Sequence, residues 1–420
     1  MVLSRWAKET LRKKSLSHRV VAVVGARQSG KTALILNADV PHLDLRSLDL
    51  PDQFAEAKAD PAFFVRKAAD SVLAVDDIQK VPELIGEIKY QVDRHPEKGR
   101  IIICASSDYR QLPQANESLA GRAGFVRVRT MTEAEKKECR PGFLEALFDD
   151  RLPMSEAFVC SKESILSAAI AGGYPAVRHL KDAPRTAWFA DYLKSRILPE
   201  LKKEWGFRKR DTLARVISSA AGVSGRHLKK RRLSMQYETA WATLKNYWAA
   251  IEAAFLVDSL PGWGNMPVDR PMITPKSYMS DSGLMAHLLQ IEKPEDLLCH
   301  PDRSQKEGDK LVETWVYNQL VPEVELHPMW TMHYVRTRKH EIDFLITNER
   351  GRMLGIEVKA RESVSTDDFE HLHWFGDLVG KENFRGVVLY AGHRVRSGGQ
   401  GCFALPMSAL WSDFSAWEKW

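Results

Sequence analysis

The chain has 420 residues, 44% hydrophobic and 28% charged, with a formal net charge of +6. This composition is ordinary for a folded globular protein and argues against disorder, and the length predicts two or three domains. Because no apolar run reaches the roughly 18 residues of a membrane span and the opening residues lack a signal-peptide core, we expect a cytoplasmic protein with no membrane partner.

A phosphate-binding loop is predicted near the start of the chain. The β-type run from Val20 to Val24 leads directly into GARQSGKT, the complete G-x-x-x-x-G-K-[ST] pattern between a strand and a helix. Gly25 and Gly30 let the backbone curl so that successive N–H groups face a polyphosphate, Lys31 reaches the β- and γ-phosphates, and the Thr32 hydroxyl binds Mg²⁺. The predicted ATP-binding residues of the loop are Gly25, Gln28, Ser29, Gly30, Lys31 and Thr32.

A second acidic element is predicted where the next buried strand ends. The apolar run from Val72 to Val75 precedes Asp76, which is placed to hold Mg²⁺ through water. The usual hydrolytic version follows this acid with a Glu that polarises the attacking water, whereas this chain has Asp77. The shorter side chain predicts slow hydrolysis. A third strand, beginning at Arg100, runs into Ser106, a candidate γ-phosphate sensor.

Two further residues are candidates for the nucleotide site. Arg122 follows a short helical stretch and is a candidate arginine finger, acting within one subunit or across an interface. An ordinary surface arginine is the alternative interpretation. Pro175 lies in GGYP, a rigid turn able to touch the nucleotide from a lid, although this pattern is also common in plain turns.

The chain resembles a large prokaryotic family of AAA-type P-loop ATPases in a series of stretches taken in order: VVGARQSGKTALI, LDLPDQFAEAKADPAFFV, VLAVDDIQKVPEL, SLAGRAG, GGYPAV, YMSDSGL and EIDFLI…IEVKA. Members of that family carry a C-terminal domain of unknown function with a PD-(D/E)xK, restriction-endonuclease-like core. The likeness covers almost the entire chain and implies an α/β multidomain fold. We expect an AAA-type P-loop ATPase core with a parallel sheet and helical lid over residues 1–205, a winged-helix-like domain over 206–285 and a nuclease-like α/β domain over 286–420.

The middle of the chain is predicted to read DNA. Lys and Arg greatly outnumber Asp and Glu between Lys202 and Arg232. The order of a helix ending at Gly222, a long helix and two strands, in FLVDSLPGWG and RPMITPKSYMSD, outlines a winged helix-turn-helix. Lys229 to Arg232 would neutralise phosphates. A solvated pair of charged helices, or a domain that only packs against the ATPase core or a neighbouring subunit, are the alternatives.

A metal-dependent site is predicted in the C-terminal hairpin EIDFLITNERGRMLGIEVKA. Glu357 and Lys359 lie two residues apart and share a strand face, and Asp343 on the preceding strand lies beside them. Asp343 and Glu357 supply hard oxygen ligands for Mg²⁺ or Mn²⁺, and Lys359 orients the attacking water or stabilises the developing charge. Glu313, in a largely apolar helix, is the predicted additional acid. A salt-bridged hairpin without chemistry is the alternative.

Two functions follow from these motifs. The first is an ATP-controlled enzyme that cuts DNA at the C-terminal site. The second is a non-catalytic regulatory ATPase that binds DNA or a protein partner and uses the nuclease-like domain as a scaffold. The sequence leaves a homo-oligomer open, and it predicts that His371 and His373 belong to a solvated helix face.

Overall fold

The structure is a computed structural model that describes residues 3–419 apart from residues 67, 69–70, 109–117, 154–157, 159, 208–209, 229 and 265–272. The chain divides into two compact units. The first comprises Met1–Thr130 with Ala249–Leu256, and the second comprises Met131–Trp248 with Val257–Trp420. The three domains expected from the sequence, with boundaries after residues 205 and 285, stay a prediction.

The first unit is built on a five-stranded parallel sheet with the strand order β2-β3-β4-β1-β5. Its strands are β1 (Val20–Val24), β2 (Leu43–Ser47), β3 (Val72–Asp76), β4 (Ile101–Ala105) and β5 (Ala123–Arg127). The runs VVAVV and IIICA are buried at every position, as expected for parallel strands covered on both faces. Val20 and Ala22 join one hydrophobic cluster while Val21 joins the other, because successive side chains alternate between faces.

Helices cover both faces of this sheet. They are α1 (Ala7–Ser17), α2 (Lys31–Leu36), α3 (Pro51–Ala59), α4 (Pro61–Arg66) and α5 (Leu84–Arg94), with a 3₁₀ turn at Ile78–Lys80. Because all five strands are parallel, the residues that follow β1, β3 and β4 meet at one edge of the sheet. Strand β4 lies between β1 and β3, so Ser106 is placed between the phosphate loop and Asp77 along that edge.

The second unit contains most of the helices. In chain order they are α6 (Glu133–Lys136), α7 (Phe143–Phe148), α8 (Lys162–Ala171), α9 (Asp182–Tyr192), α10 (Leu198–Trp205), α11 (Arg210–Gly222), α12 (Lys230–Gln236), α13 (Trp241–Ala253, whose last residues belong to the first unit), α14 (Ser282–Leu288), α15 (Glu295–Leu298), α16 (Pro301–Arg303), α17 (Asp309–Leu326) and α18 (Glu370–Val379). Within the described residues, no helix is long and apolar enough to cross a membrane.

Helix α17 forms the centre of the second unit and is buried along almost its whole length. Its buried polar side chains each bond to a different segment, as buried polar groups require. The bonded pairs are Thr314 with Ser224 (2.7 Å), Asn318 with the Met279 carbonyl (3.1 Å), Gln319 with the Glu133 amide (2.7 Å) and Glu323 with the Leu144 amide (2.8 Å). These bonds fix the position of the helix that carries Glu313.

A small antiparallel sheet follows the middle helices. Its strands are β7 (Arg226–His227), β8 (Val257–Leu260) and β9 (Lys276–Met279), in the order β7-β9-β8. The predicted helix ending at Gly222 and the two predicted strands are present, in the expected order. The interpretation of this segment as a winged helix remains a proposal. A two-residue strand, β6 (Arg151–Leu152), pairs separately with β16 (Glu418–Lys419).

The C-terminal part of the second unit holds a six-stranded mixed sheet with the order β10-β11-β12-β13-β15-β14. Its strands are β10 (Thr331–Arg336), β11 (Glu341–Thr347), β12 (Met353–Lys359), β13 (Phe384–Tyr390), β14 (Arg396–Gly399) and β15 (Cys402–Pro406). Strands β11 and β12 form the predicted antiparallel hairpin, while β12, β13 and β15 run parallel. The hairpin prediction is therefore confirmed.

Candidate functional sites

The loop between β1 and α2 requires glycine at two positions. Gly25 has a φ of 154°, and a Cβ there would lie 2.2 Å from the carbonyl oxygen of Val128. Gly30 has a φ of 100° and begins helix α2 from a left-handed conformation. Gln28 is also left-handed, with a φ of 61°. A side chain at Gly25 would therefore clash with Val128, and the left-handed backbone at Gly30 would be strained with any other residue.

Lys31 and Ser29 carry the polar groups of this loop that are suited to a phosphate. Lys31 is 6% exposed, and its Nζ donates to the carbonyl oxygens of Gly25 and Ala26, each at 2.9 Å. Burial lowers the pKa of the Lys31 amine. The Oγ of Ser29 is buried and, within the described part of the chain, lacks a hydrogen-bond partner. A buried ammonium and an unsatisfied hydroxyl fit the oxygens of a polyphosphate.

The structure brings Thr32 and Asp76 together as the sequence predicts. The Thr32 hydroxyl donates to Oδ2 of Asp76 at 2.6 Å, although the two residues are 44 positions apart. A hydroxyl and a carboxylate are hard oxygen donors of the kind that Mg²⁺ takes beside a nucleotide. The pair therefore fits a nucleotide-bound Mg²⁺.

Asp77 lies at the same edge of the sheet, and its carboxylate already accepts hydrogen bonds from two side chains. It is buried, has a left-handed backbone with a φ of 60°, and receives hydrogen bonds from Arg27 Nη1 (2.7 Å) and Gln79 Nε2 (3.1 Å). The same Gln79 nitrogen donates to the Ser106 hydroxyl at 2.7 Å. Sequence reasoning missed Arg27 and Gln79, although an arginine inside the phosphate loop and an amide two residues after Asp77 were both visible.

The first unit does not place Arg122 near the phosphate loop, and Pro175 belongs to the second unit. Arg122 precedes β5 at the amino-terminal edge of the sheet, about 16 Å of strand away from the loop edge. Its guanidinium forms two hydrogen bonds to Asp93, at 2.6 and 2.9 Å. An arginine finger formed by Arg122 would therefore have to act across a subunit interface. Pro175 begins a 3₁₀ turn in the second unit, and its nucleotide contact stays a prediction.

The predicted C-terminal residues converge in the second unit. Phe344 pairs with Ile356 in the hairpin, so the next residues outward, Asp343 and Glu357, face each other across the strands. Oδ2 of Asp343 accepts from the Val358 amide at 3.0 Å, and Lys359 Nζ lies 3.1 Å from Glu357 Oε2. These residues line one cavity of about 810 Å³ with Glu313.

Glu313 is held by groups that sequence reasoning did not identify. Its carboxylate accepts from the Tyr278 hydroxyl at 2.6 Å and pairs with Lys310. Lys276 is 1% exposed and places its Nζ 2.7 Å from Glu341, 3.6 Å from Glu313 and 3.8 Å from Asp343. Glu341 was detectable in the sequence, because it precedes Asp343 by two positions on one strand. Lys276 and Tyr278 come from β9, and nothing in the linear sequence connects them to this cluster.

The charges in this cluster are unevenly compensated. Burial alone would raise the pKa of Glu313, but Lys276 and Lys310 bring that pKa below its usual value. Burial and the Glu313 charge raise the pKa of Asp343. Burial and Asp343 likewise raise the pKa of Glu357 to about 8, against the lowering effect of Lys359.

In the Asp343–Glu357 pair, burial and the neighbouring negative charges therefore outweigh the effect of the nearby lysines on the pKa values. Oε1 of Glu357 is buried and, among the described residues, has no hydrogen-bond partner. A carboxylate pair with an unsatisfied oxygen fits a divalent cation, because hard oxygen donors are what Mg²⁺ and Mn²⁺ bind.

A second, basic cavity adjoins this one. It has a volume of about 1060 Å³ and is lined by α11, the turn into β7, and parts of α12 and α17. Its charged lining residues are Arg215, Arg226, Lys310, Arg336 and Glu341. Lys310 and Glu341 also line the acidic cavity that contains Asp343 and Glu357, so the two cavities share these side chains. Of the predicted basic run, Lys229 lies outside the described residues, and Arg231 is exposed.

Three family models match separate parts of the chain. An AAA domain matches residues 17–136, a domain of unknown function (DUF8612) matches residues 162–295, and another domain of unknown function (DUF4143) matches residues 309–410. The AAA match coincides with the parallel sheet and the phosphate loop, so the chain contains an AAA-type P-loop ATPase domain. The DUF4143 match covers the acidic hairpin without naming an activity, and the PD-(D/E)xK interpretation stays a proposal.

Similar proteins include the uncharacterized proteins Rv2008c of Mycobacterium tuberculosis and Mb2031c of Mycobacterium bovis. Each is 26% identical to this chain over 352 residues, which is 82% of this chain and 71% of the relative. Among solved structures, the Walker-type ATPase paby2304 of Pyrococcus abyssi aligns with 16% identity and a TM-score of 0.43, over 69% of this chain and 96% of that one. A TM-score at this level does not establish a common fold.

The raised pKa of Glu357 predicts a specific pH dependence of stability. In the folded chain Glu357 keeps its proton up to about pH 8, whereas in the unfolded chain it loses the proton near pH 4.5, its ordinary pKa. The free energy of unfolding therefore falls as pH rises between these two values. In Glu357→Gln we expect stability to fall less over this pH range. In EDTA, the melting temperature at pH 9 should exceed that of the wild type by about 5 °C, with a smaller difference at pH 5.

The matched control is Glu295→Gln, because Glu295 is exposed. Thermal unfolding followed by circular dichroism from pH 5 to pH 9 measures all three proteins. If the melting temperatures of Glu357→Gln and the wild type depend on pH in the same way, the Asp343–Glu357 pair does not cause the loss of stability at high pH.

Proposed function

We propose that this protein is an ATP-binding and slowly ATP-hydrolysing enzyme of AAA type whose second unit cuts DNA in a metal-dependent reaction under the control of the nucleotide state. The observation that carries the proposal is the convergence of Asp343, Glu357 and Lys359 on one cavity, where a buried oxygen of Glu357 has no hydrogen-bond partner among the described residues. The ion pair of Lys359 with Glu357 at 3.1 Å is also what the alternative interpretation, a salt-bridged hairpin, requires. That ion pair uses Oε2 of Glu357 and leaves Oε1 without a partner among the described residues.

Each residue of the cluster has a defined role in this proposal. Asp343 and Glu357 hold Mg²⁺ or Mn²⁺, which when bound polarises the scissile phosphate and lowers the pKa of a water ligand. Lys359, next to Glu357, orients the attacking water and neutralises the charge that develops on the phosphate. Glu313, paired with Lys276 and Lys310, balances the ammonium groups and positions them around the cavity.

The basic cavity supports DNA as the substrate. Three arginines and Lys310 line it against one carboxylate, Glu341, so it attracts a phosphate backbone. The cavity is formed by the same elements, α11 through β7, that the sequence interprets as part of a winged helix. A strand bound there would pass Lys310 on its way to Asp343 and Glu357, because Lys310 lines both cavities.

A regulatory switch without DNA cleavage is the second candidate function. One observation favours it: Asp77, the residue in the position of the water-polarising acid, is bonded to Arg27 and Gln79. Each oxygen of this carboxylate already accepts a hydrogen bond, which leaves fewer acceptor positions for orienting water. Slow turnover suits a protein that signals through its bound nucleotide, with the second unit binding DNA or a protein partner.

Cleavage is tested with purified protein on linear and circular DNA in Mg²⁺ or Mn²⁺, with and without ATP. We expect Asp343→Asn and Lys359→Ala to reduce the cleavage rate by about 100-fold or more, because each removes a group that acts on the reacting phosphate. Asp367→Asn is the matched control, since Asp367 is exposed on the same domain. Cleavage that persists in Asp343→Asn refutes the assignment, and DNA binding without cleavage by the wild type supports the switch.

The basic cavity gives a separate prediction about DNA affinity. The double variant Arg226→Ala/Arg336→Ala should bind DNA more weakly, and its affinity should depend on salt with a slope reduced by about 1 for each lost phosphate contact. Fluorescence anisotropy with labelled DNA at several salt concentrations measures both quantities. The exposed hairpin residue Arg350 provides the control Arg350→Ala. Equal slopes in the wild type and the double variant would exclude this cavity as the DNA path.

The nucleotide site is tested by binding and turnover. Lys31→Ala should lose about 100-fold or more in ATP affinity, whereas Lys13→Ala, an exposed lysine on α1, should bind normally. Asp77→Asn should retain ATP binding while ATP hydrolysis falls about 10-fold or more, because it removes the candidate base. Isothermal titration with ATP and a phosphate-release assay separate the two effects, and unchanged ATP affinity in Lys31→Ala would contradict the site.

A further inference from the structure

A group of two histidines and a glutamate lies beside the acidic cavity. His340 immediately precedes β11, and Glu370 and His371 begin helix α18. The Nδ1 atoms of His340 and His371 are 3.1 Å apart. One carboxylate oxygen of Glu370 and one ring nitrogen of each histidine all lie within 4.8 Å of one another. The sequence alone predicts only a solvated helix face for His371.

The separation of the ring nitrogens matches two ligands of one ion. With metal–nitrogen bonds of about 2.0–2.1 Å and tetrahedral angles, two nitrogen ligands lie about 3.3 Å apart. In a metal-free protein one of these Nδ1 atoms must carry a proton and donate it to the other. The two imidazoles and the carboxylate form a ligand set that suits a borderline transition ion.

The two histidines are held in place before any ion arrives. The turn before β11 fixes His340, because Thr337 Oγ1 accepts from the His340 amide at 3.0 Å, and the His340 ring stacks on Trp374 at 4.2 Å between centroids with 9° between planes. His371 is fixed by the first turn of α18. Both rings are partly buried, and Glu370 is exposed. Ligands ordered in this way lose little conformational freedom when they bind an ion.

We propose that His340, Glu370 and His371 form a binding site for a single transition-metal ion of the Zn²⁺ class, distinct from the Asp343–Glu357 pair. Three protein ligands leave a fourth position open to water or to a substrate oxygen. His371 also lines the acidic cavity, so the ion lies at the rim of that cavity and joins the start of β11 to the start of α18. The inference does not depend on DNA cleavage.

The test uses the full-length protein, purified without a polyhistidine tag and dialysed against Zn²⁺, with bound metal counted by mass spectrometry. The wild type should bind about one Zn²⁺ per chain more than His340→Ala/His371→Ala. The matched control is His373→Ala, because His373 lies two residues further along the same helix with its Nε2 next to the Gly399 carbonyl. Asp343→Asn/Glu357→Gln should also retain the Zn²⁺ equivalent.

Two further measurements keep the proposal testable if the double variant folds poorly. Glu370→Gln changes only an exposed side chain and should weaken Zn²⁺ binding by about 10-fold or more. Co²⁺ in place of Zn²⁺ should give visible absorption bands in the wild type and in His373→Ala, with altered bands in Glu370→Gln. Equal Zn²⁺ stoichiometry and affinity in the wild type and all histidine and Glu370 variants would overturn the site, as would loss of the ion in Asp343→Asn/Glu357→Gln alone.

Discussion

The second unit depends most on the ion pairs between the Lys276 ammonium group and the carboxylates around it. This ammonium group is almost completely buried and lies within 4 Å of carboxylates on α17 and on β11, while its own strand, β9, belongs to the small sheet. A buried ammonium is tolerated only when paired charges surround it, and a buried carboxylate carries the same requirement. Strand β9, helix α17 and strand β11 therefore have little freedom to move apart, and the acidic cavity takes its shape from this constraint.

The same cluster shows how a ligand site differs from a structural ion network. Glu313 is satisfied by Tyr278, Lys310 and Lys276, and its pKa is lowered accordingly. Asp343 and Glu357 share less positive charge, their pKa values are raised, and one oxygen of Glu357 has no hydrogen-bond partner among the described residues. In the proposed metal site, the oxygen of Glu357 that has no partner among the described residues is the one available to an exchangeable ligand.

The polar side chains of the nucleotide site are held by hydrogen bonds to one another and to the loop backbone. Thr32 and Asp76 are already hydrogen-bonded, and Asp77 is bonded to Arg27 from within the phosphate loop. A phosphate entering this loop competes for the Lys31 ammonium with the carbonyl oxygens of Gly25 and Ala26. A phosphate bound by Lys31 would therefore replace the bonds of its ammonium group to these two carbonyl oxygens.

The sequence by itself determined the elements whose chemistry is local. The phosphate loop, the acid after β3 and the hairpin carrying Asp343, Glu357 and Lys359 were all predictable. A contiguous motif needs particular residues at fixed spacing, and the two-residue repeat of a strand fixes which side chains share a face.

Only the tertiary structure decided which distant residues complete each site. Arg27 and Asp77 are 50 positions apart, and His340 and His371 are 31 apart, so no local pattern links them. The same is true of Lys276, which reaches Glu313 from another sheet, and of Arg122, which strand direction places at the far edge from the phosphate loop. Electrostatic pairing and burial depend on distance in space, and chain folding sets that distance independently of separation along the sequence.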